Sequence, residues 1–404
     1  MGLFETKINR LESWARDDKE GPLSIELVPT DKCNLNCQSC WRQGCTEEEL
    51  EEKFSQEMSD QRLRELIDEA RDLDVKEIIF VGGGEPLTRE IVPELMEKIK
   101  SYGIEGDLVT NGTLLDEEIS EMLVRREWDR IKFSVDGPDP VMHDELRGKE
   151  GVFEKTMKNI KRISRLRNEK GQEKPKLYFN TVVSKKNFRK LPQIIKLGSD
   201  VGIDGIQLLP TTAFSESSKK MQLNEKELDD FMEILEKSSD IANELGLEDC
   251  NFSEFKEPKY IDRTESMHKV QMEEVKEQFS KEELNDIIEK EYSKKDNIED
   301  FKYLPCYAPW HHITIRPNGN IAPCFSPWVW ETDTSVKDES LGELWYGEYF
   351  DEYRNMMLLR DLPDQCKRCC VWEVWQNRDI REELDKRFES LIRGSASRLK
   401  ERLR

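Results

Sequence analysis

Residues 24–40 read Ser-Ile-Glu-Leu-Val-Pro-Thr-Asp-Lys-Cys-Asn-Leu-Asn-Cys-Gln-Ser-Cys. The alternating, β-branched start, Ser24 to Val28, predicts a strand. The three cysteines just after it, Cys33, Cys37 and Cys40, can hold three irons of a [4Fe–4S] cube. Electron-transfer clusters ordinarily close the fourth corner with a fourth cysteine. Leu35, Asn36 and Trp41 stand where such a ligand would have to come from, and none binds iron. One iron is therefore left open to a substrate or cofactor. A zinc knuckle completed by Cys45 is the alternative that this triad leaves standing.

Downstream, Ile78 to Val81 is an apolar run fit for a buried parallel strand, and it leads into Gly82-Gly83-Gly84-Glu85-Pro86. Glycines let main-chain carbonyls approach a ligand ammonium with no side chain in the way, while Glu85 and Pro86 shape the turn that follows. A phosphate loop or a plain tight turn would look the same in isolation. Asp107 to Thr110 ends in Asn111-Gly112, and Ile131 to Val135 carries Ser134 and Asp136 ahead of Gly137-Pro138. Polar groups thus recur where parallel strands deliver residues to the carboxyl end of a barrel. For Asp136 the simpler reading is a turn, and for Arg147 a surface salt bridge.

Taken together, these stretches resemble the radical S-adenosylmethionine (SAM) superfamily, whose motif is Cys-x3-Cys-x2-Cys after a first barrel strand. The resemblance implies that Gly83, Gly84 and Glu85 bind the methionine amine of SAM. It assigns Ser134 and Asp136 to the ribose hydroxyls and groups Asn111 with them as a cofactor contact. It reads His143 to Gly148 as the loop whose Arg147 approaches the SAM carboxylate.

Strand and helix patterns alternate from Ser24 onward, with strands expected at 24–28, 77–81, 106–110, 130–135, 176–183 and 205–209. Helices are expected near 60–73, 89–101, 116–125, 152–167 and 188–200, the first with a buried stripe of Leu63, Leu66, Ile67, Ala70 and Leu73. The expected fold is α/β: a partial (β/α)6 TIM-type barrel with a small cysteine-rich C-terminal domain for an auxiliary cluster. The divisions are an N-terminal extension at 1–23, the barrel at 24–214 and a charged, mostly helical insertion at 215–300. An auxiliary-cluster domain at 301–376 and a basic C-terminal helix at 377–404 complete the chain. Within the insertion, Asn224 to Glu227 reads as a capping box for a helix ending at Gly246, and Phe252 to Ile298 as a lid or charged helices. No recognition subdomain for a leader peptide is expected before Ser24. Lone Cys250 and His268 are read as bystanders.

Cys306 and Cys324 flank a predicted hairpin around Pro317-Asn318-Gly319-Asn320, and Cys366 and Cys369 add a second pair, with Cys370 as a possible substitute. This region resembles the twitch module, the half-length form of the SPASM extension, which implies one auxiliary [4Fe–4S] cluster held by Cys306, Cys324, Cys366 and Cys369. Gly319, five residues before Cys324, fits that pattern. Four cysteines in two pairs also suit structural zinc. Trp310, Trp328, Trp330, Trp345, Trp372 and Trp375 crowd this region and are expected to build its core.

The charge of −22 across 404 residues repels polyanions, so broad nucleic-acid binding is not expected. No apolar run reaches membrane-spanning length, and the grouped cysteines point to reduced thiolates and metal in a cytoplasmic, anaerobic setting. The expectation is an enzyme with two [4Fe–4S] clusters and SAM, supplied with electrons by a donor such as ferredoxin or flavodoxin. The resemblance implies reductive cleavage of SAM to a 5′-deoxyadenosyl radical and hydrogen abstraction in peptide or protein maturation. The alternatives are modification of a small molecule (sugar, lipid or cofactor precursor) and a non-catalytic metal-binding protein. No catalytic acid or base is assigned.

Overall fold

The protein is described here from a computed structural model covering residues 2–247, 249–255, 304–324, 334–359, 366, 377–384 and 386–387. The chain opens with helix α1 (Leu3–Ala15), which buries Ile8, Leu11, Trp14 and Ala15. Its Arg10 is buried too, donating to the carbonyls of Gly21 and Pro22 and pairing with Asp74.

The barrel then runs β1 (Ser24–Leu27), α2 (Glu47–Ser55), α3 (Asp60–Asp72), β2 (Glu77–Phe80), α4 (Val92–Ser101), β3 (Glu105–Thr110), α5 (Glu117–Arg125) and β4 (Arg130–Ser134). It continues with α6 (Pro140–Arg147), α7 (Val152–Glu169), β5 (Lys176–Val183), α8 (Leu191–Val201) and β6 (Gly205–Pro210). Local signals set these boundaries. Ser59 caps α3 by accepting the Arg62 amide, and Asp116 caps α5 by accepting that of Ile119. Pro93 sits in the first turn of α4, which therefore starts three residues later than the expected 89.

Six strands at the expected positions are parallel neighbours in sequence order. Ile78, Phe80, Leu108, Ile131, Phe133, Leu177, Phe179, Ile206 and Leu208 are buried on the face toward the helices. The alternate residues Glu26, Ile79, Lys132, Asn180 and Gln207 stay partly open on the other face. The sheet is an open barrel, but it is larger than the six strands expected. A two-residue strand β7 (Asp249–Cys250) pairs parallel with β6. The predicted hairpin, β8 (His312–Ile315) and β9 (Ile321–Ala322), forms as well, with Gly319 at φ +87° in its turn. It does not stand apart from the barrel: β8 pairs parallel with β1, Ser24 opposite His312 through Leu27 opposite Ile315. The sheet therefore has nine strands in the order β7-β6-β5-β4-β3-β2-β1-β8-β9.

Within the insertion, α9 (Glu216–Met221) and α10 (Glu225–Glu244) are helical, and α10 carries the expected capping box between Asn224 and Glu227. Most of Phe252 to Ile298, including His268, lies outside the described residues. Cys250 sits on the edge strand β7. Toward the C-terminus, helices at Leu341–Trp345 and Glu348–Leu358 pack Trp345 and Phe350 into the core. The Arg354 guanidinium stacks within 4.4 Å of the Trp14 ring centre and 4.7 Å of that of Trp345, joining this segment to α1. Trp310 and Trp345 are core residues, as expected; Trp328, Trp330, Trp372 and Trp375 lie outside the described residues. Residues 377–384 and 386–387 of the expected C-terminal helix are helical. Among the described residues no helix is long and apolar enough to cross a membrane.

Candidate cluster and cofactor site

The loop bearing Cys33, Cys37 and Cys40 lies across the carboxyl ends of β1 to β4 and is held from two sides. On one side the amides of Gly84 and Glu85 donate to the carbonyls of Thr30 and Lys32, at 2.9 and 2.8 Å, and the Trp41 indole donates to the Gly83 carbonyl at 2.8 Å. This contact requires glycine. A β-carbon on Gly84 would lie 1.9 Å from the Lys32 carbonyl oxygen, and one on Gly83 would lie 1.8 Å from Oδ1 of Asp31. On the other side the amides of Asn36 and Gln38 donate to the carbonyls of Arg147 and Leu146 at the end of α6. Gly148, at φ +68°, ends that helix against the Asn36 carbonyl.

All three thiols are partly exposed and outside any disulfide. Each of Cys33 and Cys40 feels the charge of Cys37, and Cys40 that of Cys33 as well. Burial pushes the Cys33 thiol up and the Cys40 thiol up to about 11. Metal binding therefore displaces protons from these groups. Cys45 stands apart: the charges acting on it are led by Glu49, Lys53, Arg42 and Asp31, not by the triad. Among the described residues no three His, Cys, Asp or Glu side chains form a set that could hold a single metal ion. Cys33, Cys37 and Cys40 lie within electrostatic range of one another, and Cys45 lies outside that set.

The predicted cofactor residues fall into two groups. Glu85 is fully buried, and both its oxygens are taken. Oε1 accepts from the Thr110 hydroxyl at 2.7 Å and the Leu87 amide at 3.2 Å, and Oε2 from the Asn111 amide at 2.7 Å. Burial raises its pKa, and these three donors oppose the shift. The Asn111 side chain donates to Asn34 Oδ1 at 2.9 Å and accepts from Thr113, whose hydroxyl oxygen also accepts a hydrogen bond from the Asn34 side-chain amide. Glu85 and Asn111 thus tie the glycine segment, the end of β3 and the cysteine loop into one hydrogen-bonded unit. Asn34 and Thr113 were not singled out from the sequence. Asn34 lies inside the cysteine motif, and that position was the available signal.

The second group is centred on Arg147. His143 to Arg147, read as a loop, lie in helix α6 instead: Asp139 caps it by accepting the Met142 amide, and Pro140 occupies its first turn. The helix brings the Arg147 guanidinium 2.8 Å from Asp136 and 3.8 Å from the Cys37 sulfur. Asp136 also accepts the Val182 amide at 2.9 Å. Burial works against the Arg147 charge, and Asp136, then Cys37, more than offset it. Burial holds Asp136 above its ordinary range although Arg147 opposes this. His143 is buried beside them, pushed down to about 3, with Nδ1 3.3 Å from the Asp136 amide. Ser134 ends β4 in register with Asn180 and is half-buried, facing neither group closely enough for a hydrogen bond.

In the second constellation, Cys306, Cys324 and Cys366 are described, whereas Cys369 and Cys370 lie outside the described residues. The Cys306 sulfur takes the Ala308 amide at 3.4 Å. Cys324 and Cys366 both act on Tyr353, whose hydroxyl is held up first by burial and then by these thiols. Arg316, at the end of β8, feels Glu26, Asp31 and Cys324 and so lies between the two cysteine regions.

Residues 27–198 match the model of the radical SAM superfamily. The chain belongs to that superfamily. Residues 306–370 match the SPASM model, an iron–sulfur cluster-binding domain, so this radical SAM chain carries a C-terminal SPASM domain. Its cofactors are a [4Fe–4S] cluster with SAM in the barrel and iron–sulfur in the SPASM domain. The cysteine geometry above and the bare backbone of Gly83 and Gly84 fit these groups. AdoMet-dependent heme synthase of Methanosarcina barkeri is 32% identical over 201 residues, 49% of this chain and 54% of the relative. PqqA peptide cyclase of Granulibacter bethesdensis is 24% identical over 363 residues, 88% of this chain and 81% of the relative. The chain spans about half the length of the first curated relatives it matches. Among solved structures, Streptococcus suis SuiB bound to S-adenosylmethionine shares the fold at TM-score 0.58 and 18% identity, covering 88% of this chain and 72% of that one. Native anSMEcpe with bound AdoMet shares it at TM-score 0.52 and 16% identity, covering 93% and 100%.

Proposed function

We propose that this radical SAM chain is an enzyme that modifies a side chain of a peptide or protein. The observation that carries this reading is the similarity to PqqA peptide cyclase over 88% of the chain. When bound, SAM and the reduced cluster supply cleavage of the C5′–S bond to a 5′-deoxyadenosyl radical, which takes hydrogen from the substrate.

The chain's own residues position that chemistry. Cys33, Cys37 and Cys40 hold three irons and leave the fourth open to SAM. Gly83 and Gly84 keep side chains out of the way of its amine, with Glu85 and Asn111 fixing the segment from behind. Arg147 sets a positive charge beside Cys37 and Asp136, and Ser134 and Asp136 stand at the end of β4 for the ribose. Cys306, Cys324, Cys366 and Cys369, with Cys370 as a substitute, hold one auxiliary [4Fe–4S] cluster that accepts or relays the substrate's electron. A ferredoxin or flavodoxin in the cytoplasm supplies the reducing electron.

A second reading, modification of a small molecule, draws support from the higher identity to AdoMet-dependent heme synthase over a shorter span. One experiment separates the two. Candidate peptides and small molecules carrying deuterium at the suspected carbon are incubated with reduced, cluster-loaded protein and SAM, and 5′-deoxyadenosine is weighed. Deuterium arriving from a peptide supports the first reading; transfer from a small molecule and from no peptide overturns it.

A further inference from the structure

Arg42 is a cation in the cysteine loop whose donors the fold leaves incompletely used. It lies two residues after Cys40, in the short turn Trp41–Gly44 that Cys40 begins, and its carbonyl accepts the Cys45 amide at 3.1 Å. From there its side chain reaches back across the loop. Nη1 comes 3.5 Å from the Cys33 carbonyl, the outer limit of a hydrogen bond, and the guanidinium carbon stands 5.9 Å from the centre of the Phe54 ring. Nε is buried and has no acceptor, and among the described residues Arg42 forms no ion pair. A guanidinium N–H buried without an acceptor costs free energy, and native structures retain such groups where something else satisfies them.

What can satisfy it is set by what surrounds it. Burial raises the Cys33 and Cys40 thiols, and the Arg42 charge opposes this at each. Arg42 is therefore within electrostatic range of two of the three cluster cysteines, while Arg147 donates toward the third, Cys37. Three thiolates outweigh the positive charge of an oxidised [4Fe–4S] core, so the loaded loop holds an anion whose sulfurs are acceptors. Its negative charge grows by one electron on reduction. A cation in that range lowers the energy of the reduced form more than that of the oxidised one, and hydrogen bonds to cluster sulfurs act on the potential in the same sense.

We propose that Arg42 tunes the barrel cluster: its guanidinium donates a hydrogen bond to a sulfur of the cluster held by Cys33, Cys37 and Cys40, and its charge holds the reduction potential of that cluster up. One electron enters from a low-potential one-electron donor, no bond forms or breaks, and Arg42 stays charged throughout. This rests on the reading of the three cysteines as the ligands of that cluster, and not on which substrate is modified.

The test uses the full, iron-loaded chain, its variants Arg42→Met and Arg42→Lys, and anaerobic redox titration with dithionite followed by electron paramagnetic resonance. The signal of the barrel cluster is the one absent after Cys33, Cys37 and Cys40 are changed together to Ala. In Arg42→Met the equilibrium constant for reducing that cluster falls at least about tenfold, ~59 mV for one electron, at unchanged iron content. Arg42→Lys, which keeps the charge, shifts it less, and the second signal, from the SPASM domain, stays where it is. An unmoved barrel potential in Arg42→Met overturns the proposal, as do equal shifts of the two signals or equal shifts in the Met and Lys variants. Loss of iron in Arg42→Met overturns it too, by assigning Arg42 to support of the loop alone. If the triple-alanine variant keeps both signals, the assignment of the three cysteines falls, and the proposal with it.

Discussion

The Arg147 guanidinium stands 2.8 Å from the Asp136 carboxylate, and both groups are buried. The same guanidinium is 3.8 Å from the Cys37 sulfur, so this ion pair also supports the cysteine loop. Removing one partner leaves an uncompensated buried charge, which costs about 3–5 kcal/mol, whereas removing both restores neutrality. Asp136→Asn and Arg147→Met are each expected to lower the free energy of unfolding by that order, and the double variant by clearly less than their sum. Denaturant melts of the four proteins at equal iron content check this; additive losses would mean that the two groups act separately.

The cysteines allow a direct count. With one cluster in each region the chain should bind about eight irons, and changing Cys33, Cys37 and Cys40 together to Ala should leave about four and abolish 5′-deoxyadenosine release under dithionite. Single changes of Cys369 and Cys370 to Ala, read by iron content, identify the fourth auxiliary ligand. Zinc in place of the second set of irons would remove the auxiliary cluster from the mechanism.

Gly84 is expected to be intolerant of even one methyl group. Its β-carbon position is 1.9 Å from the Lys32 carbonyl oxygen, a backbone atom that cannot swing aside as a side chain would. Gly84→Ala must therefore push the cysteine loop off the end of β2, at an overpacking cost of about 1–3 kcal/mol. Reduced iron retention in the first cysteine region and a lower melting temperature are the expected readings. An unchanged protein would mean that the loop yields freely.

The barrel was legible in the sequence because each strand carries its own pattern: Ile78 and Phe80, or Ile131 and Phe133, are apolar whatever lies beside them. Helix α1, in the N-terminal extension, carries Ile8, Leu11, Trp14 and Ala15 at helical spacing, a pattern as local as those of the strands. What no local pattern could give is a pairing between distant segments. β8 joins β1 across a sequence separation of 288 residues, and β7 is only two residues long, too short to show alternation. The same holds at the site. The cysteine spacing and the glycine segment are contiguous and were read directly. The Asn34–Asn111 hydrogen bond and the Asp31–Gly83 contact arise only when two strand ends meet. The resemblance implies a loop over His143 to Gly148, whereas Asp139 and Pro140 start a helix that carries Arg147.

Stability should fall in mild acid because of histidines buried in neutral form. His312 has its two ring nitrogens 2.9 Å from the Ser24 hydroxyl and 3.2 Å from that of Thr314, and burial, then Lys7, push its pKa down to about 3. The unfolded chain takes a proton near pH 6.5 while the folded one does not, so this contribution is complete above pH 6.5 and is lost as pH falls toward 3. The slope approaches about 1.4 kcal/mol per pH unit for each such group. His143 behaves alike, and His311 is shifted in the same direction. Buried carboxylates such as Glu77 and Glu85, raised by burial, pull the other way, so His312 has to be isolated by comparison. In His312→Asn the loss of stability between pH 7.5 and pH 5.5 should be smaller than in the unaltered chain by about 1.4 kcal/mol, the contribution of one proton. Urea melts at the two pH values, at matched iron content, give this difference; parallel losses would mean that His312 already carries a proton in the folded state at pH 5.5.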